Sequence, residues 1–317
     1  MLYTIRHVTK FTYDTPVRES AMEVRMQPRS DGLQRCMHFG LSTTPASRVL
    51  MYQDHDGNIV HHFNTPAKHS RLTIKAEALV ECAPALALPD RIEGDGWARV
   101  DEMCASGEHW EMRHPSTFAQ PTPLLLSLFD SLMLTRGDDP LVTLRALTSR
   151  LYDVFDYAPK STKVDSPIDV ALQSRQGVCQ DFSHIMIALV RQLGVPCRYV
   201  SGYLFHRTDD HDRSSDGATH AWVEALLPDL GWVGFDPTNN LIAADRHVRV
   251  AIGRDYFDVP PTRGVFQGHS SVRTELAVGV TVGSAHATST DAMPFVPWMS
   301  REAEAPMLDQ AASQQQQ

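Results

Sequence analysis

Three side chains in this sequence have the types and settings that nucleophilic catalysis needs: Cys179, His220 and Asp236. Cys179 falls in the stretch from Gly177 to Leu193, GVCQDFSHIMIALVRQL, where Phe182, Ile185, Leu189 and Leu193 recur at helical spacing and Met186 and Val190 widen the stripe. Gly177 precedes that stretch, and Gly194 and Pro196 follow it, as start and stop signals do. The spacing predicts a core-facing helix whose first turn carries the thiol. Unpaired N–H groups and the partial positive charge at a helix N-terminus favour thiolate over thiol. Such a nucleophile needs a base, and the base needs an orienting group.

Both are available downstream, in THAWVEALLPDLGWVGFDPTNN from Thr219 to Asn240, which reads as two strands joined by a turn at Pro228 to Gly231. Alternation puts Val223, Ala225, Val233 and Phe235 on an apolar face. It leaves His220, Trp222, Glu224, Trp232, Gly234 and Asp236 on the other. Placing His220 and Asp236 on one face of neighbouring strands requires a hairpin loop with an odd number of residues, or a bulge that restores the parity. The order is then nucleophile, base, orienting carboxylate.

Each candidate has a structural alternative. A cysteine is usually a small buried hydrophobe, and Cys36, Cys82, Cys104 and Cys197 read that way. Cys179 departs from that reading because it combines a helix N-terminus with a downstream His and Asp at strand spacing. His184 does not share its face and reads as a packing or hydrogen-bonding residue, and Asp181 in the first turn reads as a cap. Trp222 and Trp232 either wall an acyl-binding groove beside Cys179 or pack between domains.

The segments GVCQDFSH, GVPCRYVSGYL, HAWVEALLPDLGWVGFDPTN and GRDYFDVPPTRGVFQG together resemble the bacterial branch of the transglutaminase-like superfamily, whose fold is similar to that of papain-like thiol proteases. The resemblance runs from about Leu141 to Gly268. It implies the nucleophile at Cys179, the general base at His220 and the carboxylate at Asp236, and the N-terminal region resembles the small β-domain that precedes the core in this branch. It implies neither calcium activation nor any cofactor. The implied chemistry is attack of the thiolate on a peptide or carboxamide carbonyl, with a thioester passed on to water or to an amine. The backbone N–H of Cys179 would serve as an oxyanion donor. A binding or scaffold protein that retains the fold is the alternative. A metal-dependent hydrolase is a third reading, and the His- and Asp-rich stretches lack the spacing of known metal sites.

The rest of the chain must position these residues. Its 317 residues, 42% hydrophobic and 21% charged, allow two domains with cores of their own. A net charge of −9 argues against a nucleic-acid partner. No run approaches the ~20 apolar residues of a membrane span, and the five cysteines form no CxxC pair. The expectation is a cytoplasmic protein with free thiols, no metal and a peptide or protein substrate. The expected fold is α+β: an antiparallel β-sandwich-like domain over residues 1–82, a connecting segment over 83–139, a catalytic domain over 140–283 with a central helix on an antiparallel sheet, and a disordered tail over 284–317.

Within that plan, turn signals such as RSDG, DHDGN and NTP separate the N-terminal β-runs, and Asp54 to Asn58 with His61 and His62 reads as hairpin-turn chemistry rather than a metal site. GWARVDEMC and PLLLSLFDSLML read as short helices. Asp139-Pro140 and Ser166-Pro167 read as capped helix starts, the second helix ending near Gln176-Gly177. The loop from Arg207 to Ala218, rich in Asp, either flanks the substrate entrance or is simply solvated. Val272 to Val282 reads as a late strand that returns to a sheet.

Overall fold

A computed structural model describes residues 1–85, 87–207 and 211–285. The first strand, β1 (Leu2–Val24), fuses the two runs YTIRHVTKFTY and MEVRMQ into one element, with register shifts between Thr12 and Val17 and between Arg18 and Ala21. These irregularities bend it, so its two halves serve different partners. It is followed by β2 (Gln34–Thr44), β3 (Val49–Gln53), β4 (Ile59–Thr65) and β5 (His69–Cys82). They join β1 in the order β2-β5-β1-β4-β3. Alternating burial along β5 sends Leu72, Ile74 and Ala76 into a local core with Met22, Val24 and Phe63. Tyr3, Ile5, Ala78 and Val80 instead join the principal core of the molecule.

Helices α1 (Gly96–Ala105), α2 (Pro123–Ser131) and α3 (Pro140–Val154) follow. The cap expected before α3 forms: Asp139 Oδ1 accepts from Val142 N at 3.0 Å, with Pro140 at the first helical position. Next come β6 (Asp156–Tyr157), α4 (Ile168–Ser174), β7 (Gln176–Gly177) and α5 (Cys179–Gln192). The expected Ser166 cap does not form. Ser166 Oγ accepts from Lys163 N at 2.9 Å instead, and α4 starts directly after Pro167, whose ring already fixes a helix-compatible φ. That helix ends early, at Ser174, because Arg175 turns left-handed at φ 55°.

Helix α5 is the centre. It packs across β8 (Cys197–Leu204) and β9 (His220–Leu227) on one side and against α2, α3 and α4 on the other. Every residue from Gln180 to Arg191 is therefore buried, the polar ones included, where amphipathic spacing predicted one wet face. Arg191 is compensated by four acceptors: the carbonyls of Met112, Cys197 and Arg254 and the Ser116 hydroxyl.

The sheet beneath α5 is completed by β10 (Gly231–Asp236), β11 (Leu241–Ala243) and β12 (His247–Gly253), in the order β11-β10-β9-β8-β12. The β9–β10 loop is Pro228-Asp229-Leu230, with Leu227 paired to Gly231. Its odd length satisfies the parity requirement, and Trp222, Glu224, Trp232, Gly234 and Asp236 share the face of His220. At the outer edge of β12, side-chain amides stand in for a neighbouring strand. Asn58 bonds Ile252 N and O, both at 2.8 Å, and Gln34 bonds Arg249 N and O, both at 2.8 Å. The last described strands, β13 (Thr262–Gln267) and β14 (Thr274–Ala285), both pair with β1, so residues 262–285 join the N-terminal sheet. The expectation for the tail falls, beyond Ala285, outside the described residues. Among the described residues no helix is long and apolar enough to cross a membrane.

Candidate active site

Cys179 is the first residue of α5 and half-buried, so its backbone N–H has no partner within the helix. Asp181 shapes this helix start as the sequence indicated: its Oδ2 accepts from Val178 N at 2.8 Å and from Thr162 Oγ1 at 2.6 Å. Burial raises the Asp181 pKa, against the pull of those two donors. The chain turns into the helix at Gly177, where a Cβ would lie 2.8 Å from the Asp181 Cβ.

His220 opens β9 and Asp236 closes β10, 4% and 0% exposed. His220 Nε2 meets Asp236 Oδ2 at 2.8 Å. The other ring nitrogen, Nδ1, is buried and has no hydrogen-bond partner among the described residues. Burial works to lower the His220 pKa, but the Asp236 carboxylate outweighs it and the Cys179 thiol adds to the rise, which reaches about 10. Burial works in the opposite sense on Asp236, and His220 and His247 together hold its carboxyl well below the usual range.

Two further residues complete the site that sequence reasoning had not singled out. His247 Nε2 meets the same Asp236 Oδ2 at 3.2 Å, and its Nδ1 accepts from Ala244 N at 3.3 Å, which fixes the tautomer with the proton on Nε2. Burial lowers the His247 pKa despite Asp236, so this ring is the neutral one of the pair. Asn239 donates from Nδ2 to Asp236 Oδ2 at 2.8 Å, and its Oδ1 accepts the N–H groups of Arg213 and Ser214 at 2.8 and 3.0 Å. Asp236 Oδ1 takes the N–H groups of Thr238 and Asn239 at 3.0 and 3.2 Å. The DPTNN turn after Asp236 was the available signal for Asn239, since Asp commonly accepts from the backbone N–H two residues on. Nothing local marks His247, which reaches the site from another strand.

Asn239 thus ties the loop before His220 to the site. Arg213 Nη1 anchors that loop further, on the Tyr152 carbonyl at 2.6 Å, and Asp212 pairs with Arg246 at 2.6 Å. Asp209 and Asp210 lie outside the described residues. His184 is buried and accepts from Tyr256 N at 3.2 Å, stacked on Phe118. Asp54 caps its own turn, accepting from Asp56 N and Asn58 N. Trp222 lies behind His220, their ring centroids 6.1 Å apart, and Trp232 lies under Arg198. Cys82 and Cys197 are buried and Cys36 half-buried, and burial pushes all three thiols up to about 11. The donor atoms of His220, Asp236 and His247 fall within 4.8 Å of one another. With both Nε2 atoms directed at one carboxylate oxygen, the set forms a hydrogen-bond network rather than an open metal cage.

Residues 3–81 match the bacterial transglutaminase-like N-terminal region, and residues 132–237 match the transglutaminase-like superfamily. An uncharacterized protein of Mycobacterium leprae is 30% identical over 276 residues, covering 87% of this chain and 96% of that protein. A protein-glutamine gamma-glutamyltransferase of Pseudomonas aeruginosa is 31% identical over 114 residues, 31% of this chain and 16% of that protein. The crystal structure of a candidate cysteine protease from Cytophaga hutchinsonii superposes with a TM-score of 0.65 at 19% identity, covering 91% of this chain and 93% of that one. The chain belongs to the transglutaminase-like superfamily, with the bacterial N-terminal region ahead of the core.

Proposed function

We propose that the protein is a thiol-dependent acyl-transfer enzyme acting on a peptide or carboxamide, with Cys179 as nucleophile, His220 as general base and acid, and Asp236 as the orienting carboxylate. One observation carries the reading: His220 turns Nε2 to Asp236 at 2.8 Å and leaves Nδ1 unpartnered, with the Cys179 thiol favouring the charged ring. His220 takes the thiol proton, and the thiolate attacks the carbonyl carbon. The C–N bond breaks as His220 returns the proton to the departing nitrogen, leaving a Cys179 thioester. Asp236 stabilises the imidazolium through both half-reactions. The Cys179 N–H, free at the helix start, faces the developing oxyanion charge. Water then gives a carboxylate and an amine gives a new amide. The glutamyltransferase likeness favours a glutamine-type carboxamide among the first substrates to try.

The test is ammonia release from a glutamine-containing peptide, with and without a primary amine, followed by mass spectrometry of the peptide. Release that depends on Cys179 and yields either the acid or the amine adduct supports the reading and identifies the acceptor. Amide or peptide turnover that persists undiminished in Cys179→Ala would overturn it.

A further inference from the structure

Trp222 and Trp232 line a cavity of ≈ 490 Å³, and Cys179 is not among the residues around it. The cavity lies against the β9–β10 face that carries His220 and Asp236, and its opposite wall comes from Arg29, residues 31–34 and residues 82–85 of the N-terminal region. Its polar wall is a chain of ion pairs. Arg198 donates to Glu224 Oε2 from Nε at 2.9 Å and Nη2 at 2.7 Å. Arg249 bonds Glu224 Oε1 at 3.5 Å and also pairs with Asp31. Arg29 pairs with Asp31 at 3.5 Å. Three guanidinium groups thus share two carboxylates along this wall. Asp245, also at the wall, has its own partner in Arg207 at 3.5 Å.

A second feature is independent of charge. Trp222 is 1% exposed and lines the cavity, and its Nε1–H has no hydrogen-bond partner among the described residues. A buried unpaired donor is destabilising, so an acceptor supplied from the cavity would relieve it. Gly202 makes room for this indole: a Cβ there would run into the Trp222 ring and the Val248 carbonyl. Leu33, Leu88, Leu230 and Ile242 supply an apolar remainder.

We propose that this cavity binds a small monocarboxylate with an apolar, ring-sized body. The carboxylate accepts from Trp222 Nε1–H and lies against the guanidinium groups of the polar wall, and the body packs on Trp232 and the leucines. The volume lies within the usual range for small-molecule sites. Its rear wall includes His247, which bonds Asp236, so the site abuts the triad without using the thiol.

Because no thiol chemistry is needed, binding is measured in Cys179→Ala as well as in wild type, and its outcome stands apart from that of the acyl-transfer reading. The probes are 3-phenylpropionate, indole-3-acetate and 4-methylpentanoate, each with its primary amide. Indole N–H resonances are followed by NMR, the Trp222 signal being assigned by its loss in Trp222→Phe, and affinities are measured by calorimetry. The expected result is saturable movement of the Trp222 resonance by at least one acid. That acid should bind about tenfold more tightly than its amide and about fivefold more weakly to Trp222→Phe. The proposal is overturned if no acid moves the Trp222 resonance up to its solubility limit, or if acid and amide bind alike. Should Trp222→Phe fail to fold, the acid–amide comparison in the wild-type chain still decides.

Discussion

Asp236 is wholly buried, accepts from two imidazoles, one side-chain amide and two backbone N–H groups, and holds His220 charged. Replacing it by Asn keeps the shape and removes the charge that outweighs burial at His220. Cys179 alkylation at neutral pH should then fall by ~100-fold, read by peptide mass spectrometry; a fall below threefold contradicts the role given to the carboxylate. The same pair predicts a stability profile. The His220 pKa rises from an ordinary ~6.5 to about 10 in the fold, so the native state binds this proton more tightly. Its contribution is complete below about pH 6.5 and is lost as pH rises through about 10. Asp236, held low, contributes above about pH 4 and loses that contribution only on strong acidification. Urea midpoints of the wild type should fall between about pH 6.5 and 8, below the range where the buried thiols begin to titrate in the unfolded chain, and in His220→Gln that fall should be absent. The helix start at Cys179 and the pairing of His220 with Asp236 were legible because their local settings carry the signal. His247 was not, because its role depends on β12 reaching Asp236 through tertiary packing.

Helix α5 depends on its first turn. A Cβ at Gly177 meets the Asp181 Cβ at 2.8 Å, and Asp181 is fixed by Val178 N and Thr162 Oγ1. Gly177→Ala should therefore cost about 1–3 kcal/mol in denaturant unfolding and slow Cys179 alkylation by displacing the helix start. Unchanged alkylation with unchanged stability would show that the approach is not tight. The hairpin parity was readable because side-chain period and loop length are both local quantities. The complete burial of α5 was not readable. Gln180, Asp181, His184 and Arg191 give it a polar face by composition; α2, α3 and α4 pack against the helix, and distant loop and strand residues (Met112, Ser116, Thr162, Val164, Cys197, Arg254 and Tyr256) supply the hydrogen-bond partners.

For the whole molecule, the N-terminal sheet and the sheet of β8 to β12 share core and edge. Tyr3 and Ile5 pack in the same cluster as Phe182 and Val223, Asn58 and Gln34 bond the edge of β12, and β14 returns to β1 along residues 2–13. A fragment of residues 140–285 should accordingly lack cooperative unfolding by circular dichroism; a folded, cooperative fragment would show that the two sheets are separable. Acid provides a second test at this scale. Burial lowers His184 to about 3 and His7 to about 4. Both are neutral in the fold, so their contribution is full above about pH 6.5 and is lost as pH falls toward those values. Replacing His7 by Gln should flatten the acid limb of the stability profile, measured by urea unfolding at a series of pH values. The β-rich N-terminal plan was legible from alternation and turn residues. The late strand over Val272 to Val282 was legible too, but the fusion of two runs into β1 and the choice of β1 as the partner of β14 were not, since strand pairing at such separation leaves no local trace.

The most direct test of the thiolate–imidazolium pair is the pH dependence of iodoacetamide alkylation at each of the five cysteines, in wild type and in His220→Ala. Cys36, Cys82 and Cys197, pushed up to about 11 by burial, serve as internal controls. Cys179 should react fastest of the five at neutral pH and lose that advantage in the variant. If Cys179 reacts no faster than the controls, or is unaffected by loss of His220, the pair does not exist and the acyl-transfer account fails.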